Sequence, residues 1–522
     1  MTQEVDAATR TGSRAPALAG AAAGAASAVL GEGVGELLAV VLAPPSSPFS
    51  VVGGVLIDLA PAWAKDAAIA LFGTNDKIAL LVGIAIVLLL VSAGVGILEL
   101  RRPWWGATVF AAIGVVVAVL AMTRAEATGL SWLPSLVAGA VAAAAVRFLT
   151  VLARRAALAS DAEPADAARR RFLVWTGSAA AVGIVAVVVG TALRAGPSTV
   201  DAVRKALKLP KPAVAAAPVP AGAQLDVLGI SPVVTPNTSF YRIDTALIVP
   251  QVDPATWSLR IHGLVDEEVV LTWDELLALP LEESWTTLTC VSNPVGGDLI
   301  GNAKWLGYPV RELLKRAGPA SDADMVLSVS IDGFTASTPL EVLMEPGRNA
   351  ILAVGMNDEP LPPEHGFPVR MVVPGLYGYV SATKWITELE VTRFADASAY
   401  WTDRGWSPKG PVKLQSRIDV PKRNQGLSPG DTVIAGVAWQ QHVGVAKVEV
   451  QVDGGEWREA QLATAISDDT WVQWSIPWTA EKGDHAIRCR ATNTMGETQT
   501  EKDAWPMPDG ATGWQQLNVT VA

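Results

Sequence analysis

Long apolar runs fill the first two hundred positions of the chain and are absent after them. Four stretches, 76–99, 103–123, 130–152 and 172–193, approach the roughly 20 apolar residues needed to cross a bilayer. A fifth, 17–43, is rich in Ala and Gly and carries Glu32 and Glu36. The stretch 51–73 is broken by Asp58, Pro61, Lys65 and Asp66, so it predicts a re-entrant or interfacial segment, with a sixth span as the alternative. From about 224 the pattern shortens to strand-length runs at 256–264, 268–273 and 324–331, separated by two helical patterns. These are "TWDELLAL" (272–279), capped by Thr272, and "PVRELLKRAG" (309–318), stopped by Gly318. After "PKGPVKLQSRID" only period-two runs punctuated by turns remain, which fit a β-sandwich.

The pattern divides the chain into an all-α transmembrane bundle over 1–195, a Pro/Ala-rich linker over 196–223, an α+β domain over 224–408 and a β-sandwich over 409–522. The linker, which includes "LPKPAVAAAPVPAGAQL", reads as an extended spacer. Arginines set the orientation: Arg101 and Arg102 join two spans, and Arg154, Arg155 and Arg169–Arg171 join two others. Loops on the opposite side carry far less positive charge, so the N-terminus is expected in the cytoplasm and the C-terminal half outside it, on a multi-pass cell-membrane protein. The segment "ARRRFLVWTG" has two readings, positive-inside anchoring or an internal twin-arginine export signal. Acids within spans are costly, so Glu32, Glu36 and Asp58 either line a proton path or quinone pocket or sit at helix contacts and interfaces.

Charge and composition narrow the chemistry. The 522-residue chain has a formal net charge of -11, which argues against nucleic acid as a partner. It holds only two cysteines, Cys290 and Cys489, and four histidines, none of them in the spans. No Cys/His cluster offers a zinc, iron–sulfur or c-type haem site. Cys290 therefore stands alone in "TLTCVSNPVGGDLIGNAKW", either as a small core residue or as a chemical group.

The same motif, followed by "ILAVGMNDEPLPPEHGFPVRMVVPGLYGYVSATKW", resembles the molybdopterin-binding domain of the sulfite oxidase family. "GVAWQQHVGVAKVEVQVDGGEWREAQL" and "MPDGATGWQQLNVTV" resemble that family's immunoglobulin-like dimerisation domain, and the front end resembles that of membrane-bound actinobacterial members. The resemblance implies the molybdenum cofactor, with Cys290 as the thiolate on the metal; a soft metal–sulfur bond suits such a ligand. It further implies cofactor contacts at His365, Arg370, Lys384 and Ser381. "SFYRID" supplies Arg242 at the metal pocket, with Tyr241 and Asp244 beside it. Trp305 and Tyr400 match positions lining the substrate entrance, and either is also readable as a core aromatic.

Departures from the pattern bear on the substrate. Sulfite oxidases carry arginines just after the cysteine motif, whereas Pro294 and Val295 stand here, and Asp244 replaces a His. A sulfite dianion needs positive charge, so two-electron oxygen-atom transfer or reduction of a small substrate of S- or N-oxide type is expected over sulfite oxidation. A true sulfite oxidase and a non-catalytic membrane scaffold are the other readings. The resemblance also implies homodimerisation through the sandwich and an external electron carrier, a quinone or a cytochrome.

Overall fold

The computed structural model describes residues 2–61, 76–158, 165–195, 199–423 and 425–522. The chain divides into two compact units, Met1–Thr199 with Ala246–Val249, and Val200–Thr245 with Pro250–Ala522.

The first unit is helical: α1 (Thr2–Leu42), α2 (Pro48–Leu59), α3 (Asp76–Arg101), α4 (Trp105–Met122), α5 (Leu133–Ala157) and α6 (Ala165–Ala195). All except α2 contain a stretch long and apolar enough to cross a membrane, which makes this a membrane protein. Of the expected interfacial stretch 51–73, residues 51–59 belong to α2, and 62–73 lie outside the described residues. α1 packs along α3, α5 and α6. A Cβ on Gly24 would fall 2.0 Å from the Ser92 carbonyl oxygen, so only glycine allows that approach.

Acids in the bundle are engaged in helix contacts. Glu99 is fully buried and accepts the N–H groups of Trp104 (3.0 Å), Gly106 (2.9 Å) and Ala107 (3.2 Å), capping α4, while Arg147 donates to it at 3.2 Å. Glu36 accepts from Ser47 and pairs with Arg194, and Glu32 accepts the Phe49 N–H at 3.1 Å. Asp58 pairs with Arg124 at 2.6 Å. The second expectation for Glu32, Glu36 and Asp58, helix contacts, describes these positions.

The second unit takes in most of α7 (Thr199–Ala206), then β1 (Ser258–Gly263), β2 (Val269–Thr272), α8 (Trp273–Ala278), β3 (Glu282–Thr289), β4 (Ile300–Pro309) and α9 (Val310–Ala317). β5 (Met325–Ser330), β6 (Thr335–Pro339), α10 (Leu340–Met344), β7 (Ile351–Met356), β8 (Glu359–Pro360), β9 (Arg370–Val372), α11 (Gly378–Ser381) and β10 (Ile386–Thr392) follow. One sheet runs β2-β1-β10-β5-β6; the other runs β3-β4-β7-β8, with β9 also on β7. The expected helix signals act as read: Thr272 and Glu275 form a reciprocal capping box on α8, and Gly318 ends α9 at φ 65°.

The segment expected as a free linker differs from that expectation. Past α7 its Pro/Ala-rich part lies along the outer edge of β3: Ala213 N–H donates to Leu281 O at 2.7 Å and Glu283 N–H to Val214 O at 2.8 Å. β3 is an edge strand with backbone groups to satisfy, and an extended proline-rich chain is a ready partner. The sequence pattern shows extension but not what the extension lies against.

The last region is a sandwich of β11 (Gln415–Val420), β12 (Gly430–Trp439), β13 (Val445–Val452), β14 (Arg458–Glu459), β15 (Gln461–Leu462), β16 (Val472–Ala480), β17 (Gly483–Asn493) and β18 (Gln515–Val521). Its sheets run β11-β12-β16-β15 and β14-β13-β17-β18. β17 and β18 alternate buried and less buried positions, as a half-buried strand must. Cys489 packs in this core, and neither cysteine is in a disulfide.

Candidate functional site

β3 delivers Cys290 to the start of a tight return loop. The Cys290 N–H donates to Leu299 O (3.0 Å) and its carbonyl accepts from Asn293 N–H (3.1 Å). The Asn293 side chain accepts the Leu299 N–H at 2.9 Å, closing the loop from inside. Gly297 lies against it so closely that a Cβ would come within 2.4 Å of Asn293 Oδ1. The thiol is buried and lies 2.9 Å from Ser292 Oγ. Burial pushes the Cys290 thiol up, against the lowering effect of Ser292, so without a metal it stays protonated.

Five groups singled out from the sequence converge as an ionic cluster. The 310 turn 363–365 and Gly366, at φ 108°, lead His365 into the interior, and β9 begins at Arg370. The His365 Nε2 lies 3.1 Å from Asn237 O, which can only accept, so that nitrogen carries the proton and Nδ1 is left as an acceptor. Burial, and next the neighbouring Arg370, lower the His365 pKa to about 3. Arg370 donates to the carbonyls of His365 (3.2 Å) and Ala382 (3.3 Å) and lies over the Trp305 ring at 5.0 Å. Burial lowers its pKa to about 10. Lys384 Nζ donates to Asp244 (2.7 Å) and to Glu364 O (3.1 Å); burial lowers its pKa to about 8, opposed by Asp244. Arg242 donates to the same Asp244 at 2.8 Å.

The charges of this cluster decide what it can hold. Arg242, Arg370 and Lys384 are three cations against the single carboxylate of Asp244, with His365 neutral. Arg370, 5% exposed, has no carboxylate within ion-pair distance among the described residues. Burying a cation without a counter-ion is costly, so this arrangement fits an anionic guest such as a phosphate.

The remaining expected residues fall in different places. Tyr241 stacks on Phe240 (5.3 Å), and its hydroxyl is pushed up by burial, and further by Cys290 when that group is a thiolate. Trp305 is fully buried, donates its indole N–H to Thr286 O (3.1 Å) and forms the floor beneath Arg370, a core position instead of the substrate entrance. Ser381 is also fully buried, and its hydroxyl donates within its own turn to Tyr377 O at 2.9 Å; a phosphate contact would compete with that bond. Tyr400 belongs to a second aromatic group with Phe334 and Trp401, under the Arg404 guanidinium at 3.6 Å.

Sequence reasoning missed Tyr377, which is buried and accepts the Lys413 N–H at 3.3 Å; burial, and after it Asp509, pushes its hydroxyl up to about 12. It also missed Asn237, whose carbonyl orients His365. The "GLYGY" turn was the available signal for Tyr377, and nothing local marks Asn237.

His365 gives a pH dependence with a definite sign. In the unfolded chain its pKa is about 6.5, so below that pH the unfolded state takes up a proton that the folded site refuses. The cofactor-free protein should therefore lose stability as pH falls from about 6.5 toward 3, at up to about 1.4 kcal/mol per unit. His365→Gln should flatten this acid limb in denaturant midpoints measured from pH 7 to 4.5; an unchanged slope refutes the buried neutral imidazole.

Residues 246–401 match the family described as "Oxidoreductase molybdopterin binding domain". Mitochondrial sulfite oxidase of Mus musculus is 31% identical over 340 residues, 55% of this chain. The chain spans 62% of the length of that relative. An uncharacterised oxidoreductase of Bacillus subtilis, YuiH, is 32% identical over 174 residues, 33% of this chain and 84% of the relative. Among solved structures, the sulfane dehydrogenase SoxCD of Paracoccus pantotrophus shares the fold, with a TM-score of 0.50 at 24% identity over 55% of this chain and 81% of that one.

Proposed function

This chain belongs to the sulfite oxidase family of molybdopterin-dependent oxidoreductases, and from that premise we propose that it reduces small S- or N-oxides, or transfers their oxygen atom, on the outer side of the cell membrane. When bound, the molybdenum cofactor supplies a two-electron metal centre able to exchange an oxygen atom with substrate. Cys290 would hold the metal through its thiolate, since coordination removes the proton that burial otherwise retains. Arg370 and Lys384 would hold the cofactor phosphate, one as a planar fork and the other as a point charge. His365 presents Nδ1 as an acceptor, because its Nε2 proton is committed to Asn237 O. Tyr241 and Tyr377 keep their phenolic protons at neutral pH and are available as neutral donors near Cys290.

One observation carries the substrate reading. Between Cys290 and β4 the only charged residue is Asp298, and Arg242 is already tied to Asp244. A site with so little unspent positive charge near the thiol suits a neutral oxide better than a sulfite dianion. Electrons then pass to or from an external carrier, a quinone or a cytochrome, and the sandwich serves as a dimer surface. The test uses detergent-purified full-length protein: metal analysis, then dye-coupled assays on sulfoxides, N-oxides and sulfite. Molybdenum near one per chain with turnover of an oxide is expected. Turnover of sulfite alone refutes the substrate reading, and absence of molybdenum refutes the whole proposal.

A further inference from the structure

The strand that presents Cys290 is completed by the sandwich. β4 covers one edge of β3 along its full length, Thr289 pairing with Ile300. On the other edge, the Pro/Ala-rich segment covers only the start, at Leu281–Glu283. The end nearest the thiol is taken by sandwich residues. The Thr287 N–H donates to Asp469 O (3.0 Å), and Trp471 N–H donates to Thr287 Oγ1 (2.9 Å). Gln441, which follows β12 and is 2% exposed, donates Nε2 to both Thr287 O (3.0 Å) and Thr289 Oγ1 (2.8 Å).

The far limb of the loop is gripped in the same way. Arg417 of β11, 7% exposed, donates Nη1 to Gly297 O at 2.8 Å. Its other nitrogens are fixed by Asp419 (2.7 Å) and Ser231 Oγ (2.8 Å), so the guanidinium is a rigid fork. Next to it Gly296 lies against Gln515, where a Cβ would come within 2.6 Å of Nε2. The segment from Thr287 to Gly297 is therefore held at both ends by one domain while it belongs to another.

We propose that Gln441 and Arg417 are positioning residues that aim the Cys290 thiolate at the metal, making the sandwich a structural part of the metal site. The proposal rests on the reading of Cys290 as the ligand. Outer partners that orient a metal ligand matter because the ligand's direction fixes the geometry available to the metal.

The first test needs no metal. Full-length protein made in a host unable to synthesise molybdopterin is treated with iodoacetamide, and modification of Cys290 is followed by mass spectrometry, with buried Cys489 as internal control. Losing a buried hydrogen bond should let the segment open more often, so Gln441→Met and Arg417→Met should each raise the Cys290 rate about tenfold. Arg417→Lys should return it toward wild type. Gln473→Met also removes contacts to the neighbouring domain, those with Ser231 O and Leu225 N, but reaches the loop only indirectly, through Ser231, and should raise the rate far less than Gln441→Met or Arg417→Met. Equal acceleration in Gln473→Met, or none in the first two variants, overturns the proposal.

The second test uses loaded protein. Gln441→Met should keep its molybdenum while the sulfur-to-metal absorption band and the Mo(V) resonance shift. Unchanged spectra overturn the proposal. If wild type carries no molybdenum, the ligand reading fails, and the alkylation rates still decide whether the sandwich holds Cys290.

Discussion

Cys290→Ser should leave a folded chain whose turnover falls by roughly two orders of magnitude or more, since even an outer-shell partner of a metal ligand is worth 10- to 100-fold. The substitution is nearly isosteric, and Ser292 Oγ, 2.9 Å from the thiol, can accept a hydroxyl proton in its place. The fold should therefore survive, with circular dichroism and melting close to wild type. The sulfur-to-metal absorption contributed by the protein thiolate should disappear, because a serine side chain supplies no sulfur for it. Retained turnover with an unchanged absorption spectrum would show that Cys290 is a core residue and that the metal is held elsewhere.

Arg370→Met should separate cofactor binding from folding. Breaking a buried charge pair from one side costs about 3–5 kcal/mol, roughly two to three and a half powers of ten in affinity. Cofactor content after purification should fall accordingly, measured as molybdenum and as the oxidised fluorescent pterin. The cofactor-free variant should be as stable as cofactor-free wild type or more so, because wild type buries this cation without a carboxylate partner. Methionine can also keep the contact with the Trp305 ring. A variant that unfolds while wild type without cofactor does not would assign Arg370 to the core, supported by its bonds to the carbonyls of His365, Met371 and Ala382.

The sequence showed the larger architecture because that architecture rests on local physics. Apolar length identifies the spans, the Thr272 box and Gly318 mark helix ends, and period-two burial marks β17 and β18. His365, Arg370, Lys384, Arg242 and Asp244 do meet, although they come from separate segments. Their meeting was legible only through resemblance, since no local pattern brings residue 242 to residue 384. Trp305 and Ser381 show the limit: a motif position gives an identity but not whether a side chain is already engaged by its own backbone. The Pro/Ala-rich segment failed as a spacer for a related reason, because extension looks the same in a sequence whether the chain is solvated or paired. Gln441 and Arg417 were invisible because the bonds that reach β3 and its loop run to groups more than a hundred positions away, two of them backbone carbonyls that carry no side-chain signature.

The edge of β3 also imposes a timetable on biosynthesis. A chain emerging from the ribosome presents Cys290 long before Arg417, Gln441, Asp469 and Trp471 exist, and domains fold in order of their appearance. Until those residues arrive, the backbone around Thr287 has only β4 as a partner and the thiol loop is held at neither end. On the reading of Cys290 as the metal ligand, the ligand loop therefore reaches its final geometry only after the β-sandwich is synthesised and docked.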